Sequence, residues 1–310
     1  MPSEFEIIRK YFDRPVRRAV LGVGDDAALL RIEPGMELAV STDLLLEGTH
    51  FRVGADPRKL GHKALAVNLS DMAAMGAAPR WAILALAMPS ADEAWLEAFA
   101  GGLFALADRY AVELIGGDTT RGPRSICISI FGELPAGQAL LRAGARSGDD
   151  IWVSGELGAA ALALVRPDLV EVQKRLNEPE PRVALGERLR GLASAAIDVS
   201  DGFAQDLGHI LERSGCGAAV EYDLLPKSAA FSRIGNPVLE RRCVLAGGDD
   251  YELVFTAPQA ARRAITGLAS EIDVALARVG SIRPGEPKPV VLDAQGAQIE
   301  FERGYDHFSA

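Results

Sequence analysis

The chain has 310 residues, 43 acidic against 33 basic side chains and a net charge of −10, with 48% hydrophobic and 25% charged residues. That is ordinary globular composition, long enough for two α/β domains and suited to a cytoplasmic enzyme that binds cations. It argues against nucleic acid or anionic membrane as partners, which need Lys/Arg fields, and the three widely spaced cysteines fit neither a disulfide framework nor a Cys-rich zinc site.

The N-terminal Met-Pro-Ser-Glu-Phe-Glu has no basic stretch followed by an apolar core, so no signal peptide is expected. Phe5, Ile8, Tyr11 and Phe12 fall at helical spacing and predict a short amphipathic helix. Ala19–Arg31 and Glu37–Leu46 read as strands. Asp56-Pro57 opens a long helix, with Leu60, Ala64, Val67, Asn68 and Met72 on one face and Gly76 at its end. Trp81–Met88 is a strand, the longest apolar run in the chain and far short of the ~20 residues of a membrane helix. A helix over Asp92–Tyr110 and strands over Val112–Ile115 and Ser125–Leu134 follow.

Pro135-Ala136-Gly137 reads as a boundary, giving domains 1–136 and 137–310. Beyond the polar turn Gly144–Asp150, strands are expected over Ile151–Ser154, Ala195–Val199, Ala218–Tyr222, Glu252–Thr256, Val274–Val279 and Pro289–Leu292. Helices are expected over Phe203–Ser214 and Pro258–Ser270.

Acidic residues concentrate in six short segments that read as loops: Gly22–Asp26, Ser41–Asp43, Asn68–Asp71, Gly116–Thr120, Asp198–Gly202 and Gly247–Tyr251. One such loop is an ordinary turn; six in one chain point to cation-assisted phosphate chemistry. Magnesium takes hard oxygen ligands and shares one or two carboxylates with substrate phosphates, while glycines let backbone N–H groups approach phosphate. No Lys follows a Gly, so there is no P-loop. Gly22-Val23-Gly24-Asp25-Asp26-Ala27 matches a dinucleotide fingerprint in letters, but its two carboxylates would repel a pyrophosphate. Phosphate charge must therefore be neutralised mainly by bound cations, helped by arginines such as Arg121 and Arg142.

Taken in order, GVGDDAALL, STDLLLEGTHF, KALAVNLSDMAAMGAAP, LIGGDTTRGP, IDVSDGFAQDLGHI, LAGGDDYELVFT and GYDHF resemble the thiamine-monophosphate kinase family, of the aminoimidazole ribonucleotide synthetase superfamily. The resemblance implies an α/β (α+β) fold of two domains, the N-terminal sheets of two subunits pairing into a barrel across a homodimer. It implies transfer of the ATP γ-phosphate to thiamine monophosphate, the last step of thiamine diphosphate biosynthesis, with several magnesium ions and with a potassium requirement left open. Asp26, Ser41, Thr42, Asp43, Asp71, Asp118, Asp198 and Asp201 are the implied metal ligands. Tyr110, Gly117, Asp118, Arg142 and Ser200 are the implied ATP contacts, and His50, Asp249 and Tyr305 the implied thiamine contacts. Asp249 departs from the glutamate common in the family. A carboxylate and an aromatic face suit the permanently cationic thiazolium. No side chain is expected to act as a general base; catalysis is electrostatic, through metal held at Asp43, Asp71 and Asp118.

Rival members of the superfamily are disfavoured by the residues. Selenophosphate synthetases carry a reactive N-terminal Cys, whereas the first Cys here is Cys127. Hydrogenase-maturation relatives carry a C-terminal Cys, and this sequence ends His307-Phe308-Ser309-Ala310. A non-catalytic nucleotide- or cation-binding relative would have lost key carboxylates.

Overall fold

The computed structural model describes residues 3–308. They fall into two compact units, one comprising the residues up to Met72 with Ala77–Gly137, the other Ala73–Gly76 with the chain from Gln138 onward.

The first unit begins with α1 (Glu4–Ile7), where Ser3 and Glu6 form a reciprocal capping box, and the helix runs on through one π turn, Ile8–Phe12. Ala19–Arg31, expected as a strand, is instead a loop folded on itself. Leu21 bridges Leu29 and Val23 bridges Asp25, and Val20 and Leu21 donate backbone N–H groups to the Leu29 carbonyl at 2.8 and 3.2 Å. The Gly-Asp segment explains the difference, since Gly24 takes φ +120°, a turn conformation and not a ladder one.

Next come β1 (Met36–Leu46), α2 (Pro57–Met75), β2 (Ala78–Met88), α3 (Glu93–Tyr110), β3 (Glu113–Arg121) and β4 (Ser125–Pro135). The four strands form one sheet in the order β1-β4-β2-β3, antiparallel except for the β2–β3 pair. Asp92 caps α3 by accepting the N–H groups of Ala94 and Trp95 at 3.1 Å. One face of β4, Ile126, Ile128 and Ile130, is buried, whereas Leu38, Val40 and Leu44 of β1 remain exposed.

β3 runs six residues further than expected, through the glycine-rich segment. The register slips between Ala82 and Ile83 of β2, and Gly117 lies so close to β2 that a Cβ would stand 1.8 Å from the Leu84 carbonyl oxygen. Two further segments expected as loops lie inside regular elements: Ser41–Asp43 in β1 and Asn68–Asp71 in α2.

The second unit contains β5 (Asp150–Ser154), α4 (Ala159–Val165), α5 (Val170–Asn177), α6 (Val183–Leu189), β6 (Ala195–Asp198), α7 (Phe203–Ser214), β7 (Gly217–Glu221), α8 (Ala230–Ile234), α9 (Pro237–Ala246), β8 (Leu253–Ala257), α10 (Arg262–Glu271), β9 (Leu276–Arg283) and β10 (Pro289–Leu292). Its six-stranded sheet has the order β10-β7-β9-β5-β8-β6, and only the β10–β7 pair is parallel. β5 and β8 are buried along their whole length, with strands paired on both sides of each. Buried Glu252 accepts two hydrogen bonds from Arg182 at 2.5 and 2.6 Å and one from Ser154 Oγ at 2.6 Å, so its charge is compensated in place. Among the described residues no helix is long and apolar enough to cross a membrane.

Candidate active site

In the first unit the acidic residues divide between the two faces of the sheet. Alternation along β1 places Ser41 and Asp43 on one face and Thr42 on the other. On the first face, the Ser41 hydroxyl donates to Asp71 Oδ2 from the C-terminal half of α2. On the second, Thr42 Oγ1 lies 2.8 Å from Ser129 Oγ. Asp118 pairs with Ala85, which pairs with Cys127, which pairs with Leu44; that row lies on the same face as Thr42. Asp118 and Thr42 are exposed, whereas Ser41, Asp43 and Asp71 are half-buried. Burial, with the nearby Asp43 charge adding to it, pushes the Cys127 thiol pKa up.

Other expected residues of this unit stand apart from these rows by their own contacts. Asp26 is exposed near the tip of the folded loop. That loop is gripped at its root by Glu113, whose carboxylate accepts the N–H groups of Arg17, Arg18 and Ala19 at 2.7–3.1 Å. His50 closes the turn after β1: its Nδ1 accepts the Leu46 N–H at 3.0 Å, which leaves the ring proton on Nε2 in the neutral form. Tyr110 ends α3, where its hydroxyl accepts from Arg109 at 2.9 Å.

In the second unit three motifs distant in sequence converge. Asp198 ends β6, and the segment after it continues the pairing beyond the strand: Val199 donates to the Glu252 carbonyl at 2.8 Å, Tyr251 to Val199 at 2.8 Å and Asp249 to Ser200 at 2.9 Å. The C-terminal motif docks on the same turn, with Tyr305 N–H donating to the Asp201 carbonyl and Gln205 Nε2 to the Tyr305 carbonyl, both at 2.9 Å. Gly304 permits that approach, since a Cβ would lie 2.5 Å from the Asp201 oxygen. The Tyr305 ring is exposed and stands edge-on to His307, with centroids 4.9 Å apart. Arg142 is exposed, its carbonyl accepting from Ser214.

Asp206 organises this turn, a role that the motifs alone do not single out. Its Oδ2 accepts the N–H groups of Ser200, Asp201 and Gly202 at 3.1, 3.1 and 3.0 Å. Burial, then the charges of Asp198 and Asp201, raise its pKa to about 8. Burial likewise raises the pKa of Asp201, against the opposing influence of His307 and His209. The available signal was an Asp in the first helical turn after an Asp-Gly pair, where an acceptor suits the open N–H groups.

Among the described residues no three His, Cys, Asp or Glu side chains form a ready-made metal cage. The donors still fit magnesium. They are hard oxygens offered one or two carboxylates at a time, as Ser41 with Asp71 shows, and such sites complete their coordination with water and phosphate oxygens.

Residues 24–134 match the family model described as AIR synthase related protein, N-terminal domain. The chain is 47% identical over 323 residues to the thiamine-monophosphate kinase of Salmonella typhimurium, covering 99% of this chain and 98% of that one. Its structure is similar to the crystal structure of thiamine-monophosphate kinase from Stenotrophomonas maltophilia, with a TM-score of 0.85, 47% identity and coverage of 93% and 94% of the two chains. It is also similar to AaThiL complexed with AMPPCP and TMP, with a TM-score of 0.77, 29% identity and coverage of 90% and 89%.

Proposed function

The chain belongs to the thiamine-monophosphate kinase family and is a kinase, and we propose how its residues phosphorylate thiamine monophosphate with ATP. The observation that carries the reading is the set of hard-oxygen side chains on both faces of β1, with Ser41 and Asp71 in contact. Magnesium, when bound, would neutralise the phosphate charge that otherwise keeps the two anionic substrates apart. Ser41, Asp43 and Asp71 would hold it on the face that carries the Ser41–Asp71 contact, and Thr42 and Asp118 would supply further oxygens. Asp26, Asp198 and Asp201 would supply further carboxylates. Tyr110, Gly117, Asp118, Arg142 and Ser200 would contact the nucleotide; His50, Asp249 and Tyr305 would contact the thiamine moiety.

The nucleophile is a phosphate oxygen of thiamine monophosphate. It bonds to the γ-phosphorus as the bond to the β–γ bridging oxygen breaks and ADP leaves. A phosphate monoester has its second pKa near about 6, so at neutral pH the nucleophile is already a dianion and no side chain has to remove a proton. Neutral His50, tied through Nδ1 to the Leu46 N–H, is accordingly assigned to binding and not to base catalysis. Catalysis is positioning plus charge neutralisation.

The exposed Leu38, Val40 and Leu44 of β1 support a homodimer in which two four-stranded sheets pair into a barrel. The protein then works in the cytoplasm, at the last step of thiamine diphosphate formation. The direct test is an assay with ATP, magnesium and thiamine monophosphate, with free thiamine and an aminoimidazole precursor as control acceptors. Thiamine diphosphate should form without a trappable phosphoenzyme from γ-labelled ATP. No turnover with thiamine monophosphate, or a labelled protein intermediate, would overturn the reading.

A further inference from the structure

Between Gly248 and β8 the chain carries two non-glycine residues at positive φ, Asp249 at +68° and Tyr251 at +51°. Left-handed backbone is unfavourable for such side chains and persists only where the surroundings impose it. Here they do. The N–H groups of Asp249 and Tyr251 are pinned to Ser200 and Val199, at 2.9 and 2.8 Å. Buried Asp250, between them, anchors the segment from the other side. Its carboxylate accepts the N–H groups of Gly158 at 2.7 Å and Ala160 at 3.3 Å, at the start of α4. This imposed backbone brings two side chains together: the Tyr251 hydroxyl donates to Asp249 Oδ1 at 3.0 Å. Tyr251 is buried and Asp249 half-buried, so the donor is fixed in the protein interior while the carboxylate it holds reaches toward solvent.

We infer that Tyr251 is a positioning residue for substrate recognition, its hydroxyl holding the Asp249 carboxylate in the orientation that meets the cationic ring of thiamine monophosphate; this rests on the proposed role of Asp249 in binding that ring. An aspartate carboxylate can rotate about two side-chain bonds, and a hydrogen bond to one oxygen removes most of that freedom before substrate arrives. The carboxylate is thereby aimed. The contact acts on the ring and not on the phosphates, so it should govern affinity for thiamine compounds and leave the chemical step alone.

Tyr251→Phe removes only the hydroxyl and keeps the buried ring, so the fold should survive with an unchanged melting temperature. The measurements are KM for thiamine monophosphate, KM for ATP, kcat, and the inhibition constant of thiamine, which carries the ring without the phosphate. Tyr251→Phe should raise the KM for thiamine monophosphate and the inhibition constant of thiamine about fivefold to tenfold, with kcat and the KM for ATP within about twofold. Asp249→Asn should raise the same two constants at least as far, and the double variant should be no worse than Asp249→Asn. An effect of Asp249→Asn with none of Tyr251→Phe would overturn the positioning role and leave the Asp249 assignment standing. No effect of Asp249→Asn would remove that assignment and the inference with it. Additive effects, or a parallel loss of kcat and ATP affinity in Tyr251→Phe, would mark a general structural role and also overturn it.

Discussion

Ser41 on β1 and Asp71 on α2 are joined side chain to side chain, the hydroxyl donating to Oδ2. A strand and a helix thus deliver two oxygen donors to one spot, and Asp43 follows two residues later on the same face of the strand. If this group holds magnesium against substrate phosphates, Asp43→Asn and Asp71→Asn should each lower turnover by about 100-fold or more. Ser41→Ala, which leaves the carboxylates in place, should cost about tenfold. Steady-state rates over a magnesium titration, with melting temperatures to verify folding, check this; near-normal turnover in both Asp variants would refute it.

The same site predicts linkage between ligand and stability. A non-hydrolysable ATP analogue with magnesium should raise the melting temperature progressively with concentration, equivalent to about 2.7 kcal/mol at one hundred times its dissociation constant. The analogue with a chelator should give a much smaller shift. Differential scanning fluorimetry with and without the chelator measures it, and equal shifts in both conditions would argue against cation-mediated binding.

Asp206 satisfies three backbone N–H groups at once, in a turn where Gly202 is buried and takes φ +131°. Asp206→Ala leaves those donors without their acceptor and should destabilise the protein by about 1–3 kcal/mol. The denaturant midpoint should fall with an unchanged slope. A midpoint equal to that of the parent would show that the turn holds without this carboxylate.

Asp250 gives a pH dependence with a definite sign. Burial, followed by the charges of Glu252 and Asp249, raises its pKa to about 8, against the lowering influence of the Gly158 and Ala160 N–H groups. A carboxyl whose folded pKa exceeds its unfolded value contributes stability that is complete below about pH 4 and lost as pH rises through about 8. The metal-free protein should therefore melt at progressively lower temperature from about pH 5 to about 8 and level off above that. Asp250→Asn should flatten that slope, with Asp206, raised to about 8 by burial and its acidic neighbours, accounting for what remains. A parent whose melting temperature climbs over this range would contradict the assignment.

Leu38, Val40 and Leu44 stand exposed in alternation on β1. If that face meets a second copy, Val40→Asp places a charge within an apolar contact and should weaken association by more than about tenfold. Sedimentation velocity across a concentration series reads the result. A dimer that persists unchanged in the variant would place the interface elsewhere.

The sequence by itself determined which residue types do the chemistry. Carboxylates and glycines recur where a phosphate-handling enzyme without a P-loop needs them, and the order of the motifs was enough to identify the family. It also determined most regular elements, because helix periodicity and caps such as Asp92 are local signals. Local signals misread Ala19–Arg31 and the end of β3. A strand exists only through its ladder partner: Leu21 bridges Leu29 within its own loop, whereas Gly117 and Asp118 find β2. Only the tertiary structure decided the rest. Which face of the sheet Thr42 and Asp118 share depends on register across four strands, and that register includes a slip that composition does not announce. The roles of Asp206 and Tyr251 were hidden for the same reason. Each acts through hydrogen bonds whose geometry is set by left-handed or glycine backbone nearby, and such backbone is imposed by non-local contacts and not by the residues that adopt it.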